Sequence, residues 1–263
     1  MENKLFPLNN PLKLTAMENS NHIKTVLVTG GSRGIGAAIS LELGTKEHNI
    51  IVNYNHSKEH ADNIVNKIKS NGGNAVAIQA NIAYPEECQN LFNTINKEFG
   101  NVSILVNNAG ITRDKSFRKM SLVEWNEVIN TNLTSAYNTV QIALPDMIEK
   151  KYGRIINISS VIAQSGGFGQ TNYAAAKAGL IGFSKSLALE TAKYGVTVNS
   201  ICPGFIETEM VAAMPAEVLE KIVSKIPVNR LGATSEIAKG VRFLIESSYI
   251  TGQSLNINGG LYM

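Results

Sequence analysis

Tyr173 and Lys177 stand four residues apart, a spacing that puts both side chains on one face of a helix. Ser160 lies thirteen residues before the tyrosine, just past the apolar run RIINIS at 154–159. A hydroxyl, a phenol and an ammonium on one short stretch are the groups needed to move a proton onto or off a carbon-bound oxygen. A free tyrosine titrates near 10, so bringing it to about 7 takes roughly 4 kcal/mol of differential stabilisation. A neighbouring ammonium in a partly dry site works in that direction. Ser159 is the rival serine, but adjacent residues of a strand point to opposite faces, so only one of the two can join the tyrosine. A Tyr-x-x-x-Lys pair alone occurs by chance in many helices. Its meaning depends on the elements that position it.

Those elements alternate from Lys24 onward. Short apolar runs rich in Val and Ile fall at 25–29 (TVLVT), 50–54 (IIVNY), 75–80 (AVAIQA), 104–108 (ILVNN), 154–159, 196–201 (VTVNSI) and 254–257 (SLNI). They show little polar alternation, which is how strands buried on both faces read. Helical spacing separates them: 35–47, a helix closed by Gly72–Gly73, one ending near Phe99, a long one over 122–150, then 172–194, 211–224 and 235–246. The alternation predicts right-handed crossovers and one doubly wound α/β domain over 21–263, a seven-stranded parallel sheet with helices on both faces. Ligands of such sheets sit at the carboxyl ends of the strands.

The first strand runs into Thr29-Gly30-Gly31-Ser32-Arg33-Gly34-Ile35-Gly36 and then a helix. Glycines there let the backbone turn sharply and approach a pyrophosphate, and the helix N-terminus offers unpaired N–H groups. The spacing differs from Gly-x-Gly-x-x-Gly, and a merely tight turn is the alternative. The strand–loop–helix context points to a dinucleotide. At the end of the second strand, Asn53-Tyr54-Asn55-His56-Ser57-Lys58 has no carboxylate for a ribose 2′-hydroxyl. Arg33, with Lys58, suits a 2′-phosphate instead, so NADPH is expected over NADH. His56-Ser57-Lys58-Glu59-His60 matches H-x-x-E-H, but His22 and His48 lack a supporting context for a third ligand, and no metal site is expected.

Other strand ends add amides. Asn107-Asn108-Ala109-Gly110 can hold neighbouring backbone and leave room for a flat ring, or can be a polar turn. Asn81 and Ile82 follow the third strand, where an adenine could be hydrogen-bonded. Asn132 sits inside the long helix, where asparagine is a poor helix former, can perturb the backbone and can hold a water.

TGGSRGIG, NNAG, Asn132, Ser160, Tyr173-x-x-x-Lys177 and Pro203-Gly204 together resemble the short-chain dehydrogenase/reductase family, over about 24–263. Within it, GQTNYAAAKAGLIGFSKSLALE, PGFIETEM and YITGQSLNINGGLYM are similar to the β-ketoacyl reductases, with GGFGQTNY and NINGGLYM most similar to acetoacetyl-CoA reductases. The resemblance implies a Rossmann-type fold and a catalytic tetrad of Asn132, Ser160, Tyr173 and Lys177, with Asn132 holding a water that relays protons to Lys177. It implies cofactor contacts from Gly30, Ser32, Arg33, Gly34, Ile35, Gly36, Asn53, Asn81, Ile82, Asn108, Ala109, Gly110, Tyr173, Lys177, Pro203, Gly204, Ile206 and Thr208. Gln164, Phe168 and Gln170 would line the acyl pocket. Many relatives have Asp where Asn81 stands, which changes the hydrogen bonding expected there. A homotetramer packed through helices near 122–150 and 172–194 is implied as well.

The implied reaction is NADPH-dependent reduction of acetoacetyl-CoA to 3-hydroxybutyryl-CoA. The runner-up is reduction of a 3-oxoacyl thioester on an acyl carrier protein. A sugar or steroid dehydrogenase shares the core, and a non-catalytic nucleotide-binding scaffold is the reading from a different class, against which the intact Ser–Tyr–Lys set argues. Lys150, Lys151 and Lys193 are candidates to meet an acidic thioester carrier, or simply a solvated surface. Composition agrees with an ordinary globular enzyme: 263 residues, 44% hydrophobic, 17% charged. A net charge of +3 does not suggest nucleic acid. Two cysteines in unrelated contexts fit a reducing compartment, and no apolar run is long enough to span a membrane, so a cytoplasmic enzyme is expected. Residues 1–20 read as a loose extension, and Met-Glu-Asn recurs at Met17, a conceivable shorter start.

Overall fold

The computed structural model describes residues 23–212 and 215–263; the expected extension over 1–20 lies outside the described residues. In chain order the elements are β1 (Lys24–Val28), α1 (Gly34–Leu43), β2 (His48–Tyr54), α2 (Lys58–Ser70), β3 (Asn74–Gln79), α3 (Pro85–Phe99), β4 (Val102–Asn107), α4 (Leu122–Ile129), α5 (Ser135–Glu149), β5 (Gly153–Ile158), α6 (Ile162–Ser165), α7 (Thr171–Thr191), β6 (Val196–Pro203), α8 (Glu209–Ala212), α9 (Ala216–Val223), α10 (Thr234–Glu246) and β7 (Ser254–Ile257). All seven strands are parallel, in the order β3-β2-β1-β4-β5-β6-β7. The order reverses between β1 and β4, which opens a crevice at their carboxyl ends.

Strand alternation sorts the core into two layers. Val26 and Val28 of β1 join Ile39, Leu43, Val241 and Leu244 under α1 and α10. Leu27 points the other way, into Leu91, Phe92, Ile95, Val140 and Met147 under α3 and α5. This double burial is why the strands carry unbroken apolar runs.

At the level of the strand ends the packing turns polar. Val28 is in register with Val52 and Val106, and Asn107 with Asn157, which pairs in turn with Ser200. A hydrogen-bonded chain crosses the sheet here: Thr139 Oγ1 donates to Asn107 Oδ1 at 2.8 Å, Asn107 Nδ2 to Asn157 Oδ1 at 2.8 Å, and Asn157 Nδ2 to Ser184 Oγ at 2.8 Å. Ser184 and Ser200 share a further bond of 2.8 Å. Each member is buried and partnered, so α5 and α7 are held at one height on the sheet.

The expected single helix over 122–150 is two helices joined by a π turn at Asn130–Thr134. Ser121 and Glu124 form a capping box that starts α4. The widened turn lets Asn132 reach across to the backbone of Ile111: its Oδ1 accepts the Ile111 N–H at 2.8 Å and its Nδ2 donates to the Ile111 carbonyl at 2.9 Å. The helix predicted near 211–224 is likewise two short helices, α8 and α9, with Pro215 at the N-cap of the second.

Candidate active site

One cleft of about 1350 Å³ runs along the carboxyl ends of the strands. At one end lies the glycine loop. Gly30 and Gly34 have φ of +59° and +53°, a backbone region that favours glycine. A Cβ on Gly36 would sit 2.2 Å from the Gly30 carbonyl and 2.5 Å from Asn108 Nδ2, so only glycine fits. Asn108 Nδ2 donates to the carbonyls of Thr29 and Gly30 at 3.0 and 3.1 Å. Thr29 Oγ1 accepts the N–H groups of Asn108 and Ala109 at 2.9 and 3.1 Å. The loops after β1 and β4 are thereby locked together, and the first turn of α1 has no side-chain cap over its N–H groups. That is a cradle for an anion such as a pyrophosphate.

Every residue assigned to the cofactor from the sequence lines this cleft: Gly30, Ser32, Arg33, Gly34, Ile35, Gly36, Asn53, Asn81, Ile82, Asn108, Ala109, Gly110, Tyr173, Lys177, Pro203, Gly204, Ile206 and Thr208. Asn53 also serves the frame, since its Nδ2 donates to the Ala80 carbonyl at 3.1 Å and its Oδ1 faces the Gly30 N–H at 3.4 Å. The segment after β6 closes over the glycine loop, with Thr208 Cγ2 3.4 Å from where a Gly34 Cβ would stand. The rim at the end of β2 presents Asn55, His56 and Ser57, without a carboxylate. Arg33 is exposed beside it, with Glu209 4.0 Å away. Lys58, expected to assist Arg33, instead pairs with Asp62 at 2.6 Å and does not line the cleft.

At the other end α7 brings up the tyrosine and the lysine. Ser159 and Ser160 both border the cleft with Tyr173; the Ser160 hydroxyl accepts the Ile162 N–H at 3.1 Å and favours ionisation of the nearby phenol, while the Ser159 hydroxyl is taken up by the Lys177 carbonyl at 2.7 Å. Ser159 thereby pins α7 to the end of β5 and leaves Ser160 as the serine whose hydroxyl acts on the phenol. Lys177 Nζ donates to the Ile158 carbonyl at 2.7 Å and lies 5.7 Å from the Tyr173 ring centre. Burial lowers Lys177 to about 8. Burial also pushes the Tyr173 phenol above its usual value; the Ser160 hydroxyl offsets this in part, and the charge of Asp114 adds to it. The tyrosine was expected to be lowered by the lysine. In the chain alone desolvation is the largest influence on the phenol and sets the direction upward.

Asn132 does not line the cleft. It stands one layer behind, where a Cβ on Gly110 would be 3.3 Å from its Oδ1 and 3.5 Å from Lys177 Nζ. Of the expected acyl-pocket residues, Gln170 lines the cleft, whereas Gln164 and Phe168 do not; Phe168 is 98% exposed. Asp114 is a further residue of the cleft, without a motif to mark it. It lies on the loop after β4, lines the cleft, and accepts a hydrogen bond of 2.9 Å from Gln170 Nε2. Its one sequence signal was a carboxylate four residues past Gly110, at a strand end. His56 of the H-x-x-E-H match lies on the cleft rim. No group of three His, Cys, Asp or Glu is placed to hold a metal ion among the described residues. There, too, no helix is long and apolar enough to cross a membrane.

A family model described as short chain dehydrogenase matches residues 24–218. The chain is 46% identical over 242 residues to the 3-oxoacyl-(acyl-carrier-protein) reductase FabG of Staphylococcus aureus strain Mu50, covering 91% of this chain and 98% of that protein. It is 47% identical to the protein of the same name from Salmonella typhimurium, over 91% and 98%. A third, from Staphylococcus epidermidis, is 43% identical over 91% and 99%. With the parallel sheet, the glycine cradle and the Ser–Tyr–Lys set in one cleft, the chain belongs to the short chain dehydrogenase family.

Proposed function

We propose that this chain is an NADPH-dependent reductase of 3-oxoacyl thioesters, with the acyl group carried on an acyl carrier protein. One observation carries the reading. Ser160, Tyr173 and Lys177 line the same cleft as the glycine cradle, with the Lys177 ammonium 5.7 Å from the tyrosine ring centre. The residues of that cradle fit a dinucleotide, and the exposed Arg33 beside a rim without carboxylates favours the 2′-phosphate. When bound, the dinucleotide supplies the hydride that reduces the carbonyl carbon.

The chain's own residues do the rest. Ser160 holds the carbonyl oxygen by its hydroxyl. The Tyr173 O–H gives that oxygen a proton, which completes the alcohol. A phenol pushed up by burial arrives protonated, as the reducing direction requires. Lys177 stands beside the ring to stabilise the phenolate left behind, and also holds the nicotinamide ribose. Asn132, with one N–H and one lone pair still open after its two bonds to Ile111, holds a water that returns the proton by way of Lys177. Asn81 and Ile82 take the adenine, while Pro203, Gly204, Ile206 and Thr208 lie along the nicotinamide. Of the residues expected at the acyl pocket, Gln170 belongs to the acyl side; Gln164 and Phe168 stand off the cleft. The same reading makes the enzyme a cytoplasmic homotetramer of fatty-acid synthesis.

The sequence alone ranks acetoacetyl-CoA first among the thioesters. The names of the relatives move the carrier-bound thioester ahead of it. Steady-state kinetics with acetoacetyl groups on coenzyme A and on a carrier protein, each with NADPH and NADH, test both choices. The expected result is a higher kcat/KM for the carrier-bound substrate and for NADPH. Preference for the coenzyme A thioester restores the first ranking, and equal efficiency with NADH removes the argument from Arg33.

A further inference from the structure

The wall opposite the glycine cradle is built from two segments far apart in sequence. Asp114 belongs to the loop after β4, and Gln170 is the N-cap residue of α7. Gln170 Nε2 donates to Asp114 Oδ2 at 2.9 Å, and both side chains line the cleft. Only the N–H end of an amide can face a carboxylate, so the orientation of Gln170 follows. Gly167 makes room for that amide: a Cβ there would lie 2.5 Å from Gln170 Oε1. The backbones are joined as well, Lys115 N–H to the Gly169 carbonyl at 2.8 Å, and Asn172 Nδ2 donates to the Arg113 carbonyl at 3.2 Å. Asp114 is thus held in place by a frame built from the loop after β4 and the segment that opens α7.

Its charge is left uncompensated by its neighbours. Arg113 is paired with Glu127 at 2.8 Å and Lys115 with Glu124, so the cations on either side in sequence serve other carboxylates. Among the described residues no ion pair includes Asp114. Its field reaches the reacting group, since it is one of the influences that push the Tyr173 phenol up.

We propose that Asp114, fixed by Gln170 at the substrate wall, selects compounds that are uncharged beside the reacting carbonyl, thioesters and esters, and rejects free 3-oxo acids. This rests on the reductase reading above. In a 3-oxo acid the carboxylate lies two bonds from the carbon that is reduced, so it enters the same short stretch of cleft as the Asp114 carboxylate. Two like charges within several ångströms at a partly solvated wall oppose each other enough to change efficiency about tenfold. A thioester puts no charge there. The carrier or its pantetheine arm then extends outward past Asp114, and its own phosphate stays distant from the wall.

The test compares kcat/KM for a neutral acetoacetyl thioester of N-acetylcysteamine with that for acetoacetate, both with NADPH. Asp114→Asn keeps the shape and removes the charge, and the thioester-to-acid ratio is expected to fall about tenfold. Asp114→Glu keeps the charge, and the ratio is expected to stay within about twofold of wild type. In the wild-type enzyme the ratio should fall as salt rises from about 0.05 M to about 0.5 M, because screening shortens the reach of an exposed carboxylate. An unchanged ratio in Asp114→Asn, or no salt dependence in the wild type, overturns the proposal while leaving the reductase reading intact. A wild-type protein that turns over neither substrate overturns both.

Discussion

Burying the Lys177 ammonium carries an electrostatic cost. The residue is 3% exposed, bonded to one carbonyl, and lowered by burial from 10.5 to about 8. The folded protein therefore sheds this proton before the unfolded chain does. Stability from this group is fully present above the unfolded value and is lost as pH falls through about 8. A Lys177→Met variant lacks the titration. Its unfolding free energy relative to wild type should fall, by on the order of 3 kcal/mol, between about pH 8 and 10.5. Urea unfolding across that range measures it; a flat difference would mean that the ammonium is solvated in the fold. The cysteines take no part in this chemistry. Both are fully buried, and burial pushes both thiols up, Cys88 to about 12, so neither is a ready thiolate.

At the scale of elements, the site depends on how closely β1's loop, α1 and the end of β4 approach. Gly36 sits at that contact, with 2.2 Å between a virtual Cβ and the Gly30 carbonyl. Gly36→Ala should raise the dissociation constant for NADPH at least about tenfold and lower the melting temperature, since overpacking costs about 1–3 kcal/mol. Gly182 in α7 is the control: nothing lies within 4 Å of its virtual Cβ. Gly182→Ala should leave stability unchanged or raise it by up to about 1 kcal/mol through helix propensity. Nucleotide titration by fluorescence, with thermal unfolding, separates the two. The glycine loop was legible because strand, glycines and helix follow one another within a dozen residues. The π turn at Asn130–Thr134 was not. Its cause is a bond to Ile111, 21 residues away, and a period of 3.6 shows nothing of a tertiary partner.

At the scale of the molecule, the long helices offer apolar side chains to a neighbour. Tyr137 on α5 is 56% exposed and Leu189 on α7 is 86% exposed, on the two helices that the proposed tetramer packs together. Single exposed apolar residues are ordinary, so the assembly has to be measured. Leu189→Asp should shift the protein from a tetramer to a smaller species in sedimentation velocity. A wild-type monomer at micromolar concentration would remove the tetramer from the proposal.

What the amino-acid order determined by itself was the class of fold and the chemistry-bearing residues whose signals are local. Seven parallel strands follow from apolar runs, and the Tyr173–Lys177 face follows from helical spacing. The choice of Ser160 over Ser159 was prepared by strand alternation but resolved by the fold, which ties the Ser159 hydroxyl to the Lys177 carbonyl and leaves that of Ser160 to act on the Tyr173 phenol. The turn of Lys58 to Asp62 is an i,i+4 pair within α2. Three-dimensional packing alone decided that Asn132 stands behind the cleft, bonded to Ile111, and that Asp114 meets Gln170, because each depends on a partner far along the chain. The direction of the Tyr173 shift belongs with them, because it is a balance of burial, the Ser160 hydroxyl and the Asp114 charge that come together only when the segments after β4 and β5 pack on α7.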